Sequence, residues 1–169
     1  GNNASNQNAH RPRTEGGWPY FEGIYGGGVG DYFSWTKVEN DVPVSNVTTY
    51  STTEITDDCI DWITQQSDPT RPWFAWVAYN TPHSPWQGPP TGLHSYANVP
   101  APGVAATGPQ RRRTYEAMLE ALDTEFGRLL SNISLADTTV IFMGDNGTPG
   151  QVVQEPFHTV GGRGHAKSS

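Results

Sequence analysis

Two apolar runs frame what this chain can fold into: WFAWVAY at 73–79 and TTVIFMG at 138–144. Each is apolar almost throughout, which predicts a strand covered on both faces, as in a parallel sheet flanked by helices. Between them, residues 114–131 predict an amphipathic helix. Tyr115, Met118, Leu119, Leu122, Phe126, Leu129 and Leu130 form one stripe, with Glu116, Glu120, Asp123 and Arg128 mostly off it. Two strands joined through a helix run parallel with a right-handed crossover. In open α/β sheets ligands bind at the carboxyl ends of the strands. Those ends are NTPHSP at 80–85 and GDNGT at 144–148, so both are expected on one edge of one sheet.

Upstream, residues 53–66 predict a further helix, with Ile55, Cys59, Trp62 and Ile63 at i, i+4, i+7 and i+8. Thr52 or Thr53 can cap its start, and Glu54, Asp57 and Asp58 suit its positive end. SDPTRP then breaks it. Residues 1–17 are polar and irregular. The segment 18–35, WPYFEGIYGGGVGDYFSW, mixes aromatics with glycines as a loop packed on a larger body would, and carries no regular period. A Pro- and Gly-rich loop is expected over 80–110. With 169 residues, 19 Gly, 14 Pro and 34% hydrophobic content, the chain reads as a single loop-rich α/β domain.

A net charge of −7 argues against nucleic-acid binding, which needs a basic face. The one basic run, Arg111-Arg112-Arg113, reads as a solvated loop ahead of a helix. A single cysteine excludes an internal disulfide framework and a cysteine-rich zinc site. No apolar run approaches the ~18 residues of a membrane span. The start, GNNASNQNAHRPRTEGG, has neither Met nor an apolar segment, and the chain stops at GHAKSS. Both ends are read as cut, making 1–169 a partial domain.

Asp145-Asn146 offers a carboxylate and an amide oxygen, a pair suited to a hard cation such as Ca²⁺ or Mg²⁺. On its own the pair reads first as a turn, since Asn-Gly after an apolar run is a turn signal. His83 lies between two prolines directly after a predicted strand, where a restricted backbone can aim an imidazole; alone it also fits an ordinary loop histidine. Lys167, His158 and His165 read singly as surface residues. Together, a hard-metal pair, a fixed His and a loop Lys would make a cationic pocket for a tetrahedral oxyanion. Cys59, on an apolar helix face beside Asp57, Asp58 and Asp61, reads as packed rather than nucleophilic.

RPWFAWVAYNTPHSPW, YEAMLEALDTEFGRLL and TTVIFMGDNGT, in that order, resemble the sulfatase family of the alkaline-phosphatase superfamily. YSTTEITDDCIDWI and the terminal GHAKSS extend the resemblance, and EGGWPYFEGIYGGG is similar to the variable segment after the family's Lys-x-His motif. The resemblance covers residues 18–169. It implies part of a three-layer α/β sandwich with a mostly parallel sheet. It also implies Asp145 and Asn146 as ligands of a divalent cation, usually Ca²⁺, with Mg²⁺ or Mn²⁺ as alternatives. His83 would contact the sulfate and protonate the leaving oxygen, and Lys167 would bind a sulfate oxygen. The implied substrate is a sulfated small molecule or carbohydrate. The family's nucleophile is a formylglycine made from Cys or Ser in a C/S-x-P-x-R motif, which the resemblance places in a segment upstream of this chain; the sole Cys, Cys59, stands in CIDWI and is no part of such a motif. The metal's upstream Asp pair is missing as well. The resemblance therefore implies an internal fragment, inactive by itself.

Two other functions remain open at this level. One is a phosphodiesterase or phosphonate monoester hydrolase of the same superfamily. The other is a non-catalytic, calcium-dependent carbohydrate-binding module, with Trp18, Trp35 and Trp86 stacking on sugars.

Overall fold

A turn at Asn40-Asp41 joins two short runs rich in β-branched residues into a hairpin. A computed structural model describes residues 8–66, 68, 70–153 and 166–167. After a short helix α1 (Arg11–Thr14), strands β1 (Glu22–Gly23), β2 (Trp35–Glu39) and β3 (Val42–Val47) form an antiparallel sheet in the order β1-β2-β3. Asn40 and Asp41 turn β2 into β3 with φ of 45° and 84°. A two-residue hairpin demands this left-handed conformation, and Asn and Asp are the residues with a Cβ that tolerate it best. The hairpin pairs Trp35 with Val47 and Lys37 with Val44, with an irregularity between Trp35 and Lys37.

Helix α2 (Ser51–Thr64) starts without a side-chain cap. Its Ser51 N–H is instead taken by the Tyr32 carbonyl at 3.0 Å, which ties the helix start to the preceding loop. The sheet is pinned to α2 by Lys37, buried with its ammonium 2.8 Å from Glu54, 2.8 Å from Asp58 and 2.9 Å from Glu39. Helix α3 (Gln110–Leu130) packs against α2. Its buried face is Thr114, Ala117, Met118, Ala121, Leu122, Glu125 and Leu129. Glu125 is tolerated there because Thr53 donates to it at 2.7 Å and the Arg128 guanidinium lies 2.6 Å away. The central cluster joins Val29, Tyr32, Trp35, Tyr50, Met118 and Ala121, with Phe33 and Trp86 packed on it.

Both expected helices are present, and each begins earlier than its apolar period indicates, at Ser51 rather than 53 and at Gln110 rather than 114. On α2 the deepest positions are Ser51, Thr52, Ile55 and Thr56, so the buried face is largely hydroxylic. On α3, small Ala117 and Ala121 occupy the seam, while Leu119 is left exposed. The arginine run is not a solvated loop. It forms the first turn of α3, where Arg112 bonds Glu116 at 2.6 Å and the Val152 carbonyl at 3.0 Å, and Arg113 bonds the Ala97 carbonyl at 2.5 Å.

The expected parallel sheet is not present among the described residues. Segments 73–79 and 138–144 take part in no strand ladder there. The first nevertheless alternates as a strand does: Trp73, Ala75, Val77 and Tyr79 are half-buried, while Phe74, Trp76 and Ala78 are exposed. Phe74 is 69% and Trp76 66% exposed, and Ile141, Phe142 and Met143 lie at 76%, 67% and 68%. Among the described residues the one parallel strand pair is short, between β4 (Thr148–Pro149) and β5 (Ala166–Lys167), with an isolated parallel bridge between Gly88 and Pro102. The 80–110 loop is stapled by backbone bonds from Gly88 to Val104, Gly103 to Gly88 and Ala106 to Trp86, at 3.0, 2.9 and 2.7 Å.

Candidate functional site

His83 is exposed at the tip of a loop whose backbone is held from below. Thr81 is buried and its hydroxyl bonds that of Thr52 on α2. The Tyr79 hydroxyl meets Thr56 at 2.9 Å, and Trp86 donates its indole N–H to the Pro82 carbonyl at 3.2 Å. The phenol of Tyr32, fully buried, donates to the His83 carbonyl at 2.7 Å and lies 3.1 Å from that of Asn80. Burial, with Tyr50 alongside, pushes the Tyr32 phenol above its ordinary range, so it remains a neutral O–H donor. Tyr32 is itself seated by Gln87, which accepts its N–H at 2.7 Å and donates to the Gly103 carbonyl at 2.8 Å. At the tip, His83 Nδ1 lies 2.6 Å from the Ser84 carbonyl, and the backbone of Gly28 borders the same edge of the ring.

Asp145 and Asn146 are exposed in the bend before β4, and the Asn146 amide donates to an Asp145 carboxylate oxygen at 2.8 Å. That bond leaves the Asn146 carbonyl oxygen and the second Asp145 oxygen uncommitted. These are two hard oxygen donors on adjacent residues, and they suit an oxygen-ligated divalent cation as half of a coordination shell. Among the described residues, no group of three or more His, Cys, Asp or Glu gathers as a metal site. Backbone register sets Lys167 beside Pro149, three residues past Asn146, so the GDNGT bend and the terminal lysine segment are neighbours. Among the described residues, no hydrogen bond joins His83 to Asp145 or Asn146. His158 and His165 lie outside the described residues.

Cys59 behaves as expected of a packed thiol: burial, with Asp58 next to it, pushes it up to about 11. The tryptophans suggested as sugar platforms serve packing. Trp35 is buried with its N–H on the Thr49 carbonyl at 3.0 Å, and Trp18 stacks on Phe74. Sequence reasoning missed Tyr32, Thr52 and Gly28 as partners of the His83 loop. A weak signal was present in YGGGVGDY, where glycines flanking a tyrosine permit close backbone approach.

Two packed helices and a small antiparallel sheet thus carry the His83 loop, and the bend bearing Asp145 and Asn146 lies beside the β5 segment. The family described as Sulfatase matches residues 2–166, and the chain belongs to the sulfatase family. That family is alkaline-phosphatase-like in fold and hydrolyses sulfate esters. No curated protein and no solved structure matches the chain. Among the described residues, no helix is long and apolar enough to cross a membrane.

Proposed function

We propose that this chain is the part of a sulfatase catalytic domain that carries two metal ligands, Asp145 and Asn146, and two sulfate-contacting groups, His83 and Lys167. The observation that carries this reading is the β4–β5 pairing, because it makes the metal-pair bend and the lysine segment neighbours although about twenty residues separate them in sequence. The exposed apolar segments 73–79 and 138–144 support the partial-domain reading, since soluble proteins seldom leave such runs uncovered. They suit inner strands of a larger parallel sheet, whose neighbours would cover them.

In this reading His83 is the acid. Its Nε2–H gives a proton to the ester oxygen as sulfur bonds to the nucleophile supplied by the rest of the domain and the S–O bond to the ester oxygen breaks, so the alcohol leaves neutral. Lys167 meets the negative charge on a sulfuryl oxygen. Asp145 and Asn146 hold a divalent cation, Ca²⁺ by family, with Mg²⁺ or Mn²⁺ as alternatives; when bound, it supplies further positive charge to the sulfuryl group. The one string of the family's formylglycine precursor form, C/S-x-P-x-R, is Ser67-Asp68-Pro69-Thr70-Arg71, which falls between α2 and the 73–79 run rather than ahead of the family-like segments, and Cys59 is not part of it. The 169-residue chain alone is therefore expected not to turn over an aryl sulfate. Reading the coding sequence ahead of Gly1 tests the assignment. A C/S-x-P-x-R motif there is the expected result, whereas a Thr or Ser nucleophile without that motif would move the chain to the phosphodiesterases.

A further inference from the structure

The geometry points to Tyr32 as a positioning residue that, with the Ser84 carbonyl, locks His83 so that Nε2 is the nitrogen offered to a sulfate ester. This rests on the sulfatase reading for the identity of the ligand, but not for the orientation of the ring. A carbonyl oxygen only accepts hydrogen bonds, so the 2.6 Å contact between His83 Nδ1 and the Ser84 carbonyl requires a proton on Nδ1. Neutral His83 is then the Nδ1–H tautomer, and Nε2 is the atom that gains and loses a proton. Gly28 faces the same edge of the ring: a Cβ at that position would sit 3.9 Å from Nδ1 and 4.0 Å from Cε1, while His83 as a whole stays exposed.

The lock depends on the Ser84 carbonyl keeping its orientation, and Tyr32 holds the peptide immediately before it. Its phenol donates to the His83 carbonyl at 2.7 Å, within the same short turn, while the His83 N–H is held by the Asn80 carbonyl at 2.8 Å. Tyr32 does this from the buried centre of the chain, 51 residues away in sequence.

Long-range ¹H–¹⁵N correlation on the full chain tests this, with His83 assigned by its loss in His83→Gln. Above pH ~8, where an ordinary imidazole is neutral, Nδ1 is expected at a pyrrole-type shift and Nε2 at a pyridine-type shift. In Tyr32→Phe the two shifts are expected to converge toward the tautomer average. A wild-type spectrum with the proton on Nε2 overturns the proposal. So does a Tyr32→Phe spectrum that keeps the wild-type separation. Should Tyr32→Phe not fold, the wild-type measurement alone still decides the tautomer. Addition of an aryl sulfate tests the sulfatase reading separately: a shift at Nε2 with Nδ1 unmoved supports both. No response to the ester, with the tautomer as expected, refutes the ligand and leaves the lock standing.

Discussion

Replacing Asp58 by Asn should change how the stability of this chain depends on pH. Asp58 lies in the Lys37 cluster with one carboxylate oxygen 2.8 Å from the ammonium and the other buried without a partner. Burial raises its carboxyl, Lys37 opposes, Glu22 and Glu54 add to the rise, and the balance stands at about 7. An unfolded aspartate titrates near ~3.9. Between these values the folded chain holds the extra proton, so stability falls as pH rises through that window. Three units set a ceiling of about 4 kcal/mol. With the side chain 16% exposed and Lys37 in contact, solvent and the counter-charge should leave about 2 kcal/mol of it. Asparagine keeps an acceptor for Lys37, gives the second position donors and removes the titration. Urea unfolding followed by circular dichroism from pH ~5 to pH ~8 should show the variant gaining about 2 kcal/mol on the wild type. Parallel curves would remove the reasoning. A wild type that gains on the variant as pH rises would show that the ion pair outweighs burial.

Three further outcomes follow from packing. Gly88→Ala should cost about 1–3 kcal/mol in urea unfolding, because its Cβ would overlap the Pro100 and Ala101 carbonyls and no rotamer relieves a backbone clash. Glu125→Ala should cost about 3 kcal/mol by the same measurement, since Arg128 and Thr53 lose the buried carboxylate that both contact. Cys59 should react slowly with iodoacetamide at pH ~8 and rapidly once urea unfolds the chain, because burial holds its thiol protonated.

The two helices were legible because a 3.6-residue period survives in any sequence whose helix has one buried face. Their starts were not, because α2 is entered through the Tyr32 carbonyl rather than through a side-chain cap. The β2–β3 hairpin was overlooked among aromatics and glycines, although Asn40-Asp41 between two short runs rich in β-branched residues carries its signal. Segments 73–79 and 138–144 were expected as ladder strands because continuous apolar runs read so; an apolar run does not reveal which neighbour pairs with it. At the site, His83, Asp145, Asn146 and Lys167 were visible as residue types after apolar runs and in glycine-bearing loops. The orientation of His83 was invisible, because the turn that carries its Ser84 partner is held by Tyr32, 51 residues distant in the chain. The closeness of Lys167 to the GDNGT bend was equally invisible, since it comes from strand register rather than from any local pattern.

Calcium titration of the full ¹⁵N-labelled chain, followed at the amides of 144–148 and of Ala166 and Lys167, tests the central claim most directly. A half-shell of two oxygen donors should bind weakly, at about millimolar Ca²⁺. The account predicts saturable shifts at Asp145 and Asn146, carried across the β4–β5 pairing to Lys167, and lost in Asp145→Ala. Amides at 144–148 that do not respond, or a response that survives Asp145→Ala, would contradict it.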